Sequence, residues 1–160
     1  MRIILLIAMV YFVFQTRAKA QEDSMKNLES LDVLIESFPS DLQSTSLSKR
    51  QIENDIQLKL RQNRIEINKE SSPYLYLNIN ALAINYKNGN TESYVYHVSL
   101  ALNQIVFLGR DVSISDYGAT TWSRSFLGYA SPLIIEDEIQ DSVDKLMNQF
   151  LNYYLEVNPK

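Results

Sequence analysis

The sequence of 160 residues has no cysteine, a single histidine, and only four glycines and four prolines. The missing cysteine excludes disulfides, a Cys–His catalytic pair and the lipid-bearing cysteine of a bacterial lipoprotein. Because there is one histidine, a metal site built from several histidines is excluded too. Few glycines and prolines predict long helices and strands rather than many short turns.

Positive charge is also scarce, since 15 basic residues face 19 acidic ones and the net charge is −4. Nucleic-acid binding depends on neutralising phosphates, so an acidic chain is a poor partner for DNA or RNA. The sequence also lacks an Asn-x-Ser/Thr acceptor site. A secreted eukaryotic domain of this size usually carries disulfides, so we expect a bacterial envelope or secreted protein.

The only long apolar run is at the N-terminus, where residues 3–14 follow Arg2. About 12 apolar residues are too few for a membrane-spanning helix, which needs about 20. Ala18 and Ala20 provide the small-x-small spacing that signal peptidase recognises. We therefore predict a cleaved signal peptide at residues 1–20, and a periplasmic or secreted protein with no transmembrane segment after cleavage.

The remaining chain predicts a polar loose leader at residues 21–30 and one α+β domain at residues 31–160. Large aliphatic residues before Pro39 predict a strand at residues 31–38. Ser48, three residues before Gln51, is typical of a capping box at a helix start, and that helix should end near Asn63. Alternating Ile65 and Ile67 then predict a short strand.

The centre of the chain predicts a long β-hairpin of residues 74–86 and 92–108. Asn88-Gly89 between them is typical of a two-residue type I′ turn, and such a turn fixes the register. One face then pairs small residues with large ones, as a packed core requires: Leu77 with Leu100, Ile79 with Val98, Ala81 with Tyr96, and Ala83 with Tyr94. The opposite face is polar: Asn80 pairs with His97, Asn78 with Ser99, and Tyr76 with Ala101.

The last third predicts a connection at residues 109–119, with a short extended piece at Val112 and Ile114 as an alternative within it. A strand at residues 120–130 follows, and then a helix capped by Ser131 with Pro132 at its first position. The element order β-α-β-β-β-β-α predicts a two-layer α+β sandwich, with a mainly antiparallel sheet and the helices on one face. The helix should bury one apolar stripe: Ile135, Ile139, Val143, Leu146, Met147, Phe150 and Tyr154.

The chain resembles a group of secreted bacterial proteins of unknown function. The resemblance is in PYLYLNIN, YVYHVSLAL, ATTWS and the ending DKLMNQFLNYYLEVNP. In layout the chain is similar to small envelope α+β domains of the TolB N-terminal and LptE-like kinds. Both resemblances imply an envelope protein, and neither implies a chemical motif, because fold alone does not transfer function.

Candidate chemistry is sparse. A small hydrolase would need His97 as its general base, and Ser99 lies two residues along on the same face. The middle of a regular hairpin rarely offers a nucleophile with an oxyanion hole, so a surface histidine is the better interpretation. The acidic residues of IEDEIQDSVDK have the spacing of a solvated helix face rather than of a calcium loop. We expect no catalytic residue, no metal and no cofactor.

A binding surface is the remaining candidate. Tyrosines are frequent in the hairpin, and tyrosine is enriched at binding surfaces. Trp122 and Arg124 could stack on a sugar or a peptide, although core packing is the stronger interpretation. We predict a non-enzymatic envelope protein that binds another protein or an envelope component; the alternatives are the hydrolase and a carrier of an apolar ligand between sheet and helices. The predicted surface consists of Tyr74, Tyr76, Asn78, Asn80, His97, Ser99, Trp122 and Arg124.

Overall fold

A computed structural model describes residues 23–43, 45–69 and 72–159. The expected signal peptide at residues 1–20 lies outside this part of the chain. Within the described residues, no helix is both long enough and apolar enough to cross a membrane.

The elements follow the predicted order β-α-β-β-β-β-α, with one turn of 3₁₀ helix at Ser40–Leu42 between the first two. They are β1 (Ser30–Ile35), α1 (Lys49–Gln62), β2 (Glu66–Ile67), β3 (Tyr74–Asn85), β4 (Thr91–Leu108), β5 (Asp111–Ala130) and α2 (Ile135–Val157).

The strands form one open sheet in the order β2-β1-β3-β4-β5. β1 is parallel to both of its neighbours, whereas the long strands β3, β4 and β5 are antiparallel. The helices pack on one face of the sheet, which confirms the predicted two-layer α+β sandwich. The core between the layers includes the whole predicted stripe of α2, and its largest fully buried side chains include Trp122, Phe150, Met25 and Leu31.

Helix α1 begins and ends where the sequence predicts. The Ser48 hydroxyl accepts a hydrogen bond from the Gln51 N–H at 3.3 Å, which satisfies one of the free donors of the first turn. Asn63 ends the helix. Ile52, Ile56 and Leu60 are the buried positions of its apolar face.

The predicted pairing of β3 with β4 is confirmed on both faces, from Tyr76 opposite Ala101 to Ala83 opposite Tyr94. The predicted two-residue turn is wrong. The Gly89 N–H donates to the Tyr86 carbonyl and the Tyr86 N–H donates to the Asn90 carbonyl, which makes a three-residue loop. A type I′ turn requires a positive φ at both Asn88 and Gly89, and of these two residues only Gly89 has one, at +87°.

An irregularity beside this turn restores the predicted register. Ile84 pairs with Ser93 while Asn85 pairs with Thr91, so Glu92 is an extra residue in β4. The longer loop shifts the pairing by one position, and the extra residue shifts it back.

Residues 109–119 were expected to be a connection with at most a short extended piece at Val112 and Ile114, and the strand is much longer than that. β5 runs without interruption from Asp111 to Ala130, and its first half pairs with the end of β4. The paired part of β4 and β5 extends beyond Tyr74, the first residue of β3, which pairs with Asn103. Among the described residues, the sheet therefore consists of two strands in this region.

Helix α2 starts later than predicted, at Ile135, so Ser131 does not cap it and Pro132 is not its first residue. The Ile134 N–H donates to the Ser131 carbonyl at 3.2 Å, so residues 131–134 form a turn before the helix.

The segment expected to be a loose leader also supplies core residues. Met25 is fully buried and Leu28 nearly so, and Asn158 ties the segment to the end of α2 by donating to the Met25 carbonyl at 2.9 Å.

Candidate functional site

The candidate site is the face of the sheet opposite the helices, which we call the open face. It carries the even-numbered residues of β3. It also carries the odd-numbered residues of β4 between 95 and 101 and the odd-numbered residues of β5 between 123 and 129. Within the described residues no helix covers it. Its cross-strand rows are Leu82–Val95–Tyr129, Asn80–His97–Leu127, Asn78–Ser99–Ser125 and Tyr76–Ala101–Ser123.

Six of the eight residues predicted for a binding surface share this face. Asn80 is exposed, and the other five are partly exposed. They are Tyr74, Tyr76, Asn78, Asn80, His97 and Ser99.

Trp122 and Arg124 do not join them, because both side chains lie on the helix side. Trp122 is fully buried, and its ring meets Phe150 edge-on at a centroid distance of 5.4 Å. The Arg124 guanidinium lies 5.7 Å from the Trp122 ring centroid and 5.3 Å from that of Tyr153. The core packing with a partly exposed arginine that the sequence favoured is therefore the arrangement observed.

Glu36 is a member of the site that the sequence did not reveal. It directly follows β1, and its N–H donates to the Leu77 carbonyl at 3.0 Å, which continues the β1–β3 ladder. Its carboxylate accepts hydrogen bonds from the Tyr76 hydroxyl and the Asn78 amide. The Asn80 amide in turn donates to Asn78, so four side chains form one polar network.

The network shifts the pKa values of two of its members, Glu36 and Tyr76. The hydrogen bond from Tyr76, and then the one from Asn78, lowers the pKa of the Glu36 carboxyl below its ordinary value because both favour the charged form. The hydrogen bond to Glu36, together with desolvation, raises the pKa of the Tyr76 phenol. The site therefore presents an ionised carboxylate and neutral donors at neutral pH.

The end of the open face near the hairpin turn is apolar, and the sequence analysis missed this too. Leu82 is 65% exposed, Leu127 76% and Tyr129 65%. The three occupy two adjacent cross-strand rows, and the partly exposed Val95 lies between Leu82 and Tyr129. Single exposed apolar residues are ordinary, but a contiguous apolar patch on a protein surface is typical of interaction sites. The open face thus has a polar centre and an apolar end.

The geometry does not assemble the catalytic pair of the hydrolase alternative. His97 lies between Asn80 and Leu127 in its cross-strand row, and Ser99 lies between Asn78 and Ser125 in the next. Both residues lie within the regular strand β4, and among the described residues no hydrogen bond joins His97 to Ser99 as it would join a base to its nucleophile.

The carrier alternative needs space between the sheet and the helices, and side chains fill that space. Leu75, Leu77, Leu100 and Phe150 are each at most 1% exposed. A cleft of about 80 Å³ lies between the two helices, where Lys59 and Asp144 form an ion pair at 3.0 Å. Small-molecule sites usually occupy about 300–1,000 Å³, so this cleft is too small for one.

No protein-family model and no curated protein matches this sequence. Solved structures with a similar fold include the rare lipoprotein B from Shewanella oneidensis, at 16% identity and TM-score 0.36, covering 81% of this chain and 98% of that one. A minor lipoprotein from Acinetobacter baumannii is similar at 8% identity and TM-score 0.40, over 83% and 95% of the two chains. The PelC dodecamer from Paraburkholderia phytofirmans is similar at 15% identity and TM-score 0.41, over 78% and 87%.

Two of these three structures are bacterial lipoproteins by name, whereas this sequence has no cysteine to carry a lipid. At these identities and TM-scores the likeness assigns no role to this chain. The narrower TolB-like and LptE-like resemblances, and the expectation that the chain is not a lipoprotein, stay predictions.

Proposed function

We propose that this protein is a non-enzymatic component of the bacterial cell envelope, periplasmic or secreted, and that its open face binds another protein or an envelope component. The observation that carries this proposal is that a polar network and exposed apolar side chains share one face of the sheet, which no helix covers in the part of the chain that the structure describes. Protein interfaces combine buried apolar area with direct hydrogen bonds, and this face offers both.

The charge of the site favours a partner with hydrogen-bond donors or a positive group. Glu36 is the anionic member of the network, and its two neighbours within the chain already stabilise its charge. The apolar end, formed by Leu82, Leu127 and Tyr129, would contribute most of the free energy of binding, because burying apolar area is the largest favourable term in association.

The test is affinity capture from envelope extract with tagged protein, comparing wild type with Leu82→Ala and with Asn78→Ser. Leu58→Ala is the matched control, because Leu58 is a leucine of similar exposure (53%) on the helix side. Circular dichroism and urea melts should first show that each variant folds. We expect the wild type and the Leu58 variant to retain the same partner, and the two open-face variants to lose it.

Two results would contradict the proposal. One is a partner retained by both open-face variants but lost with Leu58→Ala. The other is turnover on ester, peptide or glycoside substrates that His97→Ala abolishes, since general-base catalysis contributes at least about 100-fold.

A further inference from the structure

The two edges of the sheet are very different. β2 forms one edge and has two residues, whereas β5 forms the other and has twenty. Natural sheets usually protect an edge by shortening it, bending it or placing charge or proline on it, because an unpaired edge recruits another strand. The β2 edge is short in this way. From residue 122 to residue 130, β5 pairs with β4 in an unbroken register with no bulge.

The hydrogen-bonding groups on the outer side of β5 follow from the ladders within the sheet. The Leu77 carbonyl accepts a hydrogen bond from the Glu36 N–H beside β1. Because main-chain groups alternate in direction along a strand, those of Tyr76 and Asn78 bond to β4. By the same alternation, the even-numbered residues of β4 direct their N–H and C=O groups toward β5, where they bond to even-numbered residues of β5. The odd-numbered residues of β5 therefore direct their N–H and C=O groups outward.

These outward residues are Ser123, Ser125, Leu127 and Tyr129, and all four side chains are exposed on the open face. The Ser123 carbonyl accepts a hydrogen bond from the Arg124 guanidinium at 2.8 Å, and it keeps a second lone pair. Within the described residues no strand lies beyond β5, so this edge is free to pair with another strand.

We propose that β5 pairs with β5 of a second copy of this chain, antiparallel and centred on Phe126, so that two sheets become one ten-stranded sheet. The sequence around Phe126 is self-complementary in size. Antiparallel pairing about this residue places Ser125 opposite Leu127 of the second copy and Ser123 opposite Tyr129. In each pair a small residue faces a large one, as Ala81 faces Tyr96 and Ala83 faces Tyr94 between β3 and β4.

The distribution of charge also favours a second copy at this edge. Two acidic chains repel each other, and the solvent side of α2 carries many of the acidic residues, among them Glu136, Asp137 and Glu138. From Tyr117 to Ala130 there is no acidic residue, and Arg124 is the only charged one. The Arg124 side chain packs against Tyr153 on the helix side and its guanidinium donates to the outward Ser123 carbonyl, so this edge carries one positive charge while the four outward side chains are uncharged.

Pairing at β5 extends the open face across the two-fold axis and brings the apolar residues Leu127 and Tyr129 of both copies to its centre. It is independent of any partner that the open face binds. A strand from a foreign protein would find the same main-chain groups, but the matched sizes about Phe126 are specific to a second copy.

Cysteine cross-linking tests the register cleanly, because the chain has no cysteine of its own. Residues hydrogen-bonded across two antiparallel strands have Cα atoms about 5.5 Å apart, within the range of a disulfide. The double variant Ser125→Cys/Leu127→Cys should form a covalent dimer under mild oxidation. Ser125→Cys alone should not, because the two Ser125 positions lie diagonally, about 7–8 Å apart. Both positions are exposed, so the variants should fold.

Sedimentation analysis of the native chain supplies the second readout. We expect a concentration-dependent dimer that Leu127→Lys weakens at least ~10-fold, because it places a charge at the edge. Leu82→Lys, the matched exposed leucine on β3, should leave the dimer unchanged. A chain that stays monomeric would overturn the proposal, and so would a dimer insensitive to Leu127→Lys. Cross-linking of Ser125→Cys as efficient as that of the double variant would overturn the register about Phe126.

Discussion

Two adjacent residues of β4 should respond in opposite ways to the same substitution. Val98 is fully buried, between Ile79 and Phe126 in its cross-strand row. Ser99 is the next residue and faces the open side between Asn78 and Ser125. Val98→Lys and Ser99→Lys therefore introduce the same side chain at neighbouring positions, on opposite faces of the sheet.

The expected costs follow from burial. Val98→Lys loses about 1.5–3 kcal/mol of apolar burial. It also leaves a charge without a partner, which costs about 3–5 kcal/mol in a protein interior. A sum of about 4–8 kcal/mol is a large part of the 5–15 kcal/mol that stabilises most domains, so this variant should be largely unfolded. Ser99→Lys should change the free energy of unfolding by about 0.5 kcal/mol or less, as most surface substitutions do.

Urea unfolding followed by circular dichroism measures both costs. A buried lysine loses its proton more easily, because desolvation lowers the pKa of its ammonium. The folded-state pKa is then below the unfolded one, so the Val98 variant should gain stability as the pH rises between the two values. Equal destabilisation by the two substitutions would mean that both faces are covered, and the two-layer arrangement with an open face would be refuted.

Two further predictions concern Trp122 and Glu36. Trp122 has a buried indole N–H without a hydrogen-bond partner among the described residues. Trp122→Ala should lower the free energy of unfolding by about 3–5 kcal/mol in a urea melt. Trp122→Phe should lower it much less, because phenylalanine keeps most of the buried ring and removes no hydrogen bond. Glu36 has a pKa below its ordinary value of 4.5, so it contributes stability above that pH and the contribution disappears as the pH falls through the lowered value. Glu36→Gln should remove this contribution and so reduce the pH dependence of the urea midpoint, part of which remains because Asp111 and Glu136 also have lowered pKa values. An unchanged pH profile would show that the contacts with Tyr76 and Asn78 do not stabilise the carboxylate.

The sequence determines the local features of this fold well. Helical periodicity predicts the buried stripe of α2, and the capping serine predicts the start of α1. The β3–β4 register is also predicted correctly, although the turn is not, because Glu92 compensates for the longer loop. The apolar pattern of the strands specifies which residues face the core, and this requirement sets the register more strongly than the turn type does.

The features that the sequence does not reveal depend on contacts between distant segments. Glu36 joins Tyr76 only because β1 lies parallel beside β3, and no local pattern predicts that neighbour. Leu127 and Tyr129 alternate with core residues, but their position beside Leu82 depends on the order of strands in the sheet. The hairpin register therefore predicts the polar residues of the site on β3 and β4. It does not predict the apolar end of the open face or the Glu36 carboxylate.

We propose that the open face, and not the helix side, is the binding surface. Site-specific photo-crosslinking in the bacterial envelope tests this claim directly, with a photoreactive amino acid at Leu82 on the open face or at Leu58 on α1. These two exposed leucines belong to opposite sides of the same domain. We predict a discrete cross-linked product from position 82 and none from position 58. A product from position 58 alone would contradict the claim.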